Sequence, residues 1–166
     1  MNDSSQTTLA LARQLGQQLS RAGRRVTAAE SCTGGGVAYA ITAVPGSSSW
    51  FDAAFVTYSS AQKQQLLGVS DNALTSGAVS EPVVLAMLEG ALARSGADFG
   101  VAISGIAGPD GGTVDKPVGT VCFAVGGSDG RACTVHFSGD RQQVRQQAVD
   151  YALKLLIEQS SAENTV

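Results

Sequence analysis

The chain has 166 residues, 43% of them hydrophobic and only 15% charged, which suits one substantial buried core and argues against a disordered segment. A net charge of −3 argues against broad, sequence-independent nucleic-acid binding, which needs a basic surface, and leaves room for a local cationic pocket. Three cysteines without a C-x-x-C pair, and a single histidine, His136, argue against a disulfide framework, a structural zinc site or a multi-histidine metal centre, and they fit a reducing cytoplasm.

Residues 1–6 are polar, hold no signal-peptide core and are expected to fray. Leu11, Leu15 and Leu19 recur every four residues and predict a helix over 7–22, stopped by Gly23. Residues 26–29 predict the first strand. A helix over 33–43 follows, with Val37 and Ile41 inward, and Pro45-Gly46 ends it. Ser47-Ser48-Ser49, ahead of Trp50-Phe51, reads either as a polar turn before a hydrophobic anchor or as a hydroxyl-rich pocket wall. Residues 53–58 predict a strand. Ser59 or Ser60 caps a short helix that runs to Leu67 and closes at Gly68, and Asp71 caps a further turn. Ser80-Glu81-Pro82 opens a helix that ends at Gly96. The apolar run 99–104 predicts a buried strand. A long glycine-rich loop, 105–117, comes next, and loops of that length are usually functional or mobile. Residues 118–125 and 131–137 predict a β-hairpin. Ser138-Gly139-Asp140 caps a last helix from 141, with Val144, Ala148, Tyr151, Ala152 and Leu155 inward.

This order implies an α/β fold: a three-layer α/β/α sandwich whose mixed sheet of about five strands ends in an antiparallel hairpin. No linker or internal repeat divides residues 1–166, so a single domain is expected. No apolar run reaches membrane-spanning length.

The stretch best suited to chemistry is Glu30-Ser31-Cys32-Thr33-Gly34-Gly35-Gly36, between the first strand and the helix after it. Glycines admit close approach of a ligand to the backbone, and the first amides of a helix attract negative charge. A hydroxyl or thiol there can attack an electrophile while nearby amides hold the oxyanion. Such loops also serve simply as tight turns, and local sequence leaves both readings open. Neither a Walker loop nor a dinucleotide G-x-G-x-x-G fingerprint is present. His136 falls in a strand and suits an edge position better than a triad. Lys63 is a candidate base, since a desolvated lysine loses its proton readily, and Tyr58 a candidate relay; both also suit ordinary packing or surface roles. Arg141 and Arg145 share one helix face near its start, where the dipole does not favour cations, which points either to an anion such as phosphate or to a solvated polar face.

Ala29-Glu30-Ser31-Cys32-Thr33-Gly34-Gly35, Phe55-Val56-Thr57-Tyr58-Ser59, Gly77-Ala78-Val79-Ser80-Glu81-Pro82, the run from Ile103 through Gly105 and Gly108 to Gly112, and Lys116-Pro117-Val118-Gly119-Thr120-Val121 together resemble the CinA C-terminal domain family, in that family's order. The resemblance runs from about Thr7 to Leu156. Characterised members hydrolyse the carboxamide of nicotinamide mononucleotide, a step of pyridine nucleotide recycling. The competence- or damage-inducible label that the family often carries describes regulation and not chemistry. Nothing in the chain matches the molybdopterin-binding-like domain that many members carry, so the chain resembles the stand-alone amidohydrolase.

The resemblance implies Ser31 as nucleophile with Tyr58 and Lys63 as its partners, no cofactor and no metal. Amides around Thr33 and Gly34 are expected to hold the oxyanion. Arg141, Arg145 and the loop through Gly105 and Gly108 are expected near the phosphate. Ser104 and Thr120 are expected near the ribose or carboxamide, and Ser48 as a further pocket residue. Cys32 is a rival nucleophile, expected to point away from the site. The expected partner is a small-molecule nucleotide, not nucleic acid or membrane, and the protein is expected to be cytoplasmic and homo-oligomeric. Two other readings stay open: a hydrolase of another amide or of a nucleotide phosphoester, and a non-catalytic nucleotide-binding or regulatory module.

Overall fold

The computed structural model describes residues 3–162. Helix α1 (Asp3–Ala22) leads into strand β1 (Val26–Glu30), helix α2 (Gly36–Thr42), a 3₁₀ turn at Ser47–Ser49 and strand β2 (Phe51–Val56). Helices α3 (Ser60–Leu67), α4 (Asp71–Leu74) and α5 (Glu81–Ser95) follow. Strands β3 (Phe99–Gly105), β4 (Thr120–Gly126) and β5 (Arg131–His136) and helix α6 (Arg141–Ala162) complete the chain.

The sheet has five strands in the order β2-β1-β3-β4-β5. β1 pairs in parallel with β2 and β3, whereas β3–β4 and β4–β5 are antiparallel. The three-layer mixed sheet read from the sequence is thus present, and the hairpin at its end is β4–β5. One face carries α1, α2 and α6, whose Leu15, Leu19, Ile41, Val144 and Leu153 share a core with Val101 and Phe123. The other carries α3, α4 and α5, where Leu67, Val84, Met87 and Leu88 cover Ala29 and Ala102. Both faces of β1, β3 and β4 are covered, so these strands are buried along nearly their whole length.

Several boundaries differ from expectation for local reasons. α1 starts at Asp3 rather than residue 7, with an acid in its first turn and Thr7 Oγ1 donating to the Asp3 carbonyl; residues 1–2 of the expected frayed end lie outside the described residues. α2 starts at Gly36 rather than 33, because Ser31–Gly35 form turns closed by Gly34 N–H to Ser31 O and Gly36 N–H to Thr33 O. Ser70, not Asp71, caps α4. At α6, Asp140 Oδ1 accepts from Gln143 N–H and Gln143 Oε1 accepts from Asp140 N–H, a reciprocal capping box. Among the described residues, no helix is long and apolar enough to cross a membrane.

From β1 the chain crosses to β2 on one side, and β3 then adds on the other. The crossover after β1 (α2) and the crossover after β2 (α3–α5) therefore lie on opposite faces of the sheet, and the carboxyl ends of β1 and β3 form the switch point at which open α/β sheets bind ligands. Ser31 follows β1 there, Thr57 and Tyr58 follow β2, and Ser104-Gly105 end β3.

Candidate active site

Ser59 caps α3 by accepting from Gln62 N–H, and Gly68, at φ 69°, ends it. Only Lys63 and Leu67 of this helix are buried, and they stand four residues apart on one face. Leu67 enters the core beneath α5 and carries Lys63 inward with it. Gly90 of α5 makes the approach possible: a Cβ there would lie 2.8 Å from Leu67 Cα.

Lys63 is 1% exposed. Its Nζ lies 2.9 Å from Ser31 Oγ and donates to the Thr57 carbonyl at 2.7 Å. Burial pushes the amine below the ordinary lysine range, with a smaller opposing effect from Cys32. A buried hydroxyl thus faces an amine biased toward its neutral, proton-accepting form, and this pair can perform nucleophilic catalysis without a histidine.

The loop bearing Ser31 is braced from two sides. Glu30 is fully buried, and its carboxylate accepts from Thr33 Oγ1 (2.6 Å) and from the amides of Gly35 (3.1 Å), Val37 (3.1 Å) and Ala38 (2.9 Å). An acid at a strand end thereby satisfies the first amides of α2. From the other side, Arg145 of α6 donates through Nε to the Cys32 carbonyl (3.0 Å) and through Nη2 to the Thr33 carbonyl (3.4 Å). Sequence reasoning assigned Glu30 no role. The signal was an acid directly before a glycine-rich helix start.

Ser31 opens into a cleft of about 210 Å³, with Tyr58, Lys63, Ser104, Gly105 and Arg141 among the walls and Ser60, Ala78, Val79 and Ala107 as linings that sequence reading missed. Tyr58 is 63% exposed, and its hydroxyl meets Arg141 Nη2 at 2.9 Å rather than Ser31 or Lys63. Arg141 Nη1 donates to the Gly108 carbonyl, so this arginine ties the long loop to the cleft mouth. Ser104 Oγ donates to the Ala78 carbonyl. The Gly105 backbone packs where a Cβ would come within 3.0 Å of Cys32 Sγ.

Other expected site residues lie elsewhere. Ser48 stands before β2, at the opposite end of the sheet, where its carbonyl accepts from Arg25, itself paired with Asp52. Thr120 is buried and donates to the Pro117 carbonyl, outside the cleft walls. Thr33 and Arg145 line a separate depression with Gln142 and Gln146. The Gly34 amide donates to the Ser31 carbonyl and is not free for an oxyanion, whereas among the described residues the Thr33 amide donates to no acceptor. Cys32, expected to point away, packs in the core on the α6 side and also lines the Ser31 cleft; burial pushes its thiol up to about 11, which leaves it a protonated, weak nucleophile.

The model of the CinA C-terminal domain matches residues 8–160. Nicotinamide-nucleotide amidohydrolase PncC of Escherichia coli (strain K12) is 55% identical over 152 residues, covering 90% of this chain and 92% of that protein. The protein of the same name from Pseudomonas putida is 56% identical over 150 residues, covering 89% and 94%. The crystal structure of a CinA superfamily protein from Klebsiella pneumoniae 700603 superposes with a TM-score of 0.90 at 38% identity, covering 93% of this chain and 98% of that one.

Proposed function

The chain belongs to the CinA C-terminal domain family, and we propose that it is a nicotinamide-nucleotide amidohydrolase that converts nicotinamide mononucleotide to nicotinic acid mononucleotide and ammonia, with Ser31 as nucleophile. The observation that carries the mechanism is the 2.9 Å contact between Lys63 Nζ and Ser31 Oγ in a buried setting.

The neutral Lys63 amine takes the Ser31 proton directly as Oγ bonds to the carboxamide carbon. Tyr58 is not required as a relay, because its hydroxyl lies against Arg141. The carbonyl oxygen becomes an oxyanion. As the tetrahedral carbon collapses, the C–N bond breaks and the Lys63 ammonium protonates the departing nitrogen, which leaves as ammonia. Water then loses a proton to Lys63 and attacks the ester. Lys63 returns that proton to Ser31 Oγ as the acyl C–O bond breaks, and nicotinic acid mononucleotide leaves, its new carboxylic acid giving the second water proton to solvent. Each step needs one base that alternates with its conjugate acid, the pattern a lowered-pKa lysine supports.

Arg141 at the cleft mouth and the loop from Gly105 through Gly108 to Gly112 supply the donors for the phosphate. Tyr58 forms the outer wall against which the pyridinium ring enters, and Ser104 lies beside the ribose or carboxamide. The reading places the protein in cytoplasmic pyridine nucleotide recycling, as one domain over residues 1–166. It includes a homo-oligomer, for which exposed Tyr39 and Val56, the latter on edge strand β2, are part of the exposed apolar surface, with Leu66, Leu85 and Val114.

The test is ammonia release from nicotinamide mononucleotide, with chelator present, by wild type and Ser31→Ala. Turnover by wild type and its collapse in a folded Ser31→Ala protein are expected. Activity that survives the substitution would move the nucleophile, and phosphate release without ammonia would make the protein a phosphoester hydrolase.

A further inference from the structure

Arg145 does not open into the cleft beside Ser31. It lines the neighbouring depression on the α6 side, with its guanidinium held by two backbone carbonyls of the nucleophile loop. Each of these carbonyls belongs to a planar trans peptide, in which the next residue's N–H points opposite to the C=O. Because Arg145 Nε holds the Cys32 carbonyl toward α6, the Thr33 N–H must point away from α6. The other side of the sheet is where α3 lies, and there Lys63 holds the Ser31 hydroxyl. The next N–H along, that of Gly34, closes the turn to the Ser31 carbonyl, while the Thr33 amide donates to no acceptor among the described residues. Gly34 also permits the contact: a Cβ there would come within 3.2 Å of Arg145 Nη2.

We propose that Arg145 is a positioning residue, which fixes the Cys32–Thr33 peptide so that the Thr33 amide is presented to the oxyanion formed at Ser31, and that it is not a ligand of the substrate phosphate. Arginine suits this task because its planar fork presents separate N–H donors to two adjacent carbonyls in fixed directions, whereas a lysine offers its donors from a single nitrogen on a flexible stem and fixes neither peptide plane. Arg141, one helical turn earlier, keeps the anion-facing role, so the two arginines of one helix face divide the work between substrate and backbone. This inference rests on the serine mechanism proposed above.

The experiment compares wild type, Arg145→Ala and Arg145→Lys in two assays. One is steady-state ammonia release from nicotinamide mononucleotide. The other is the rate at which a small fluorophosphonate labels Ser31, followed by intact mass; this probe forms its own oxyanion and carries no nucleotide phosphate. For a misplaced oxyanion donor, kcat should fall by about 100-fold in both variants, with KM within a few-fold of wild type. Labelling should slow in parallel, and Lys should not rescue. If kcat and labelling stay at the wild-type rate while KM rises tenfold or more in Arg145→Ala and recovers in Arg145→Lys, Arg145 is a phosphate ligand and the proposal is overturned. Should Arg145→Ala fail to fold, Arg145→Lys, which keeps the charge and most of the packed stem, gives the same two-way answer. A wild type that neither releases ammonia nor takes the label overturns the serine mechanism itself, which is a different result from an active wild type with an indifferent Arg145.

Discussion

Lys63 is carried into the protein by the same helix face that buries Leu67, and burial lowers the pKa of its amine from the ordinary 10.5. Two pH dependences follow. In the proposed mechanism the neutral amine is the base, so kcat/KM should rise with pH along a limb whose apparent pKa lies below 10.5. Stability should rise across the same window: between the lowered folded value and 10.5, the unfolded chain binds a proton that the folded chain does not. The burial penalty is therefore full below the folded pKa and gone above the unfolded one. Urea unfolding of wild type and Lys63→Met at a series of pH values isolates the effect. The wild type should gain stability relative to the variant as pH rises, and the variant should release no ammonia; a pH-independent difference would mean that Lys63 stays charged in the fold. Glu30 makes the complementary prediction. Glu30→Gln removes the charge and one acceptor from a carboxylate that serves four donors, and should lower the unfolding free energy by about 2–3 kcal/mol. An unchanged urea midpoint would show that the loop keeps its turns without that carboxylate. At this scale residue type marked Ser31 and Lys63 only as candidates, each with an ordinary alternative, and it was the resemblance to the CinA C-terminal domain family that implied their pairing; the structure puts Lys63 Nζ 2.9 Å from Ser31 Oγ. The work of Glu30 and Arg145 was hidden, because it depends on which way individual peptide planes face.

Among elements, the contact that matters most for the site is α3 against α5. Gly90 stands where a Cβ would meet the Leu67 backbone, with Leu67 C at 2.7 Å, and backbone cannot rotate aside as a side chain can. Gly90→Ala raises intrinsic helix propensity by about 1 kcal/mol. The overpacking should nonetheless prevail, with a net loss of about 1–3 kcal/mol in urea unfolding. It should also lower kcat, because α3 must slide away from α5 and take Lys63 from Ser31. A more stable or fully active Gly90→Ala would show that α3 is free to shift without consequence. The existence of α3 and α5 was legible from their caps, Ser59 with Gly68 and Ser80-Glu81-Pro82 with Gly96. Their closeness was not, since a glycine inside a helix signals only weakness until its neighbour is known. The direction of β3 against β4 was likewise open. It is fixed by the long loop, whose ends are tied by Ile106 N–H to Thr120 O and Gly119 N–H to Ile106 O.

At the scale of the whole molecule, the sheet order explains why distant segments meet. Residues that follow β1, β2 and β3 converge at one end, whereas residues that precede them gather at the other. That rule accounts for both the convergence of Ser31, Tyr58 and Ser104 and the exclusion of Ser48, which precedes β2; hydroxyl content alone could not separate them. The two ends are joined by one continuous core, which contains Trp50 and Cys32 together with Leu15 of α1 and Leu153 of α6. Trp50 is the sole tryptophan, is buried, and packs on Gly16 of α1, where a Cβ would lie 2.7 Å from its ring. Its fluorescence therefore reports the end opposite the cleft, far-UV circular dichroism reports the helices throughout, and fluorophosphonate labelling reports Ser31. If the chain folds as one unit, the three probes should give a single coincident transition in urea, since no part of the core can open without exposing the rest. An early loss of labelling with Trp50 still buried would instead mark the cleft end as a separately opening unit. In that case the braces from Glu30 and Arg145 would hold the loop only while α6 remains docked, and stability of the site would have to be measured apart from stability of the fold.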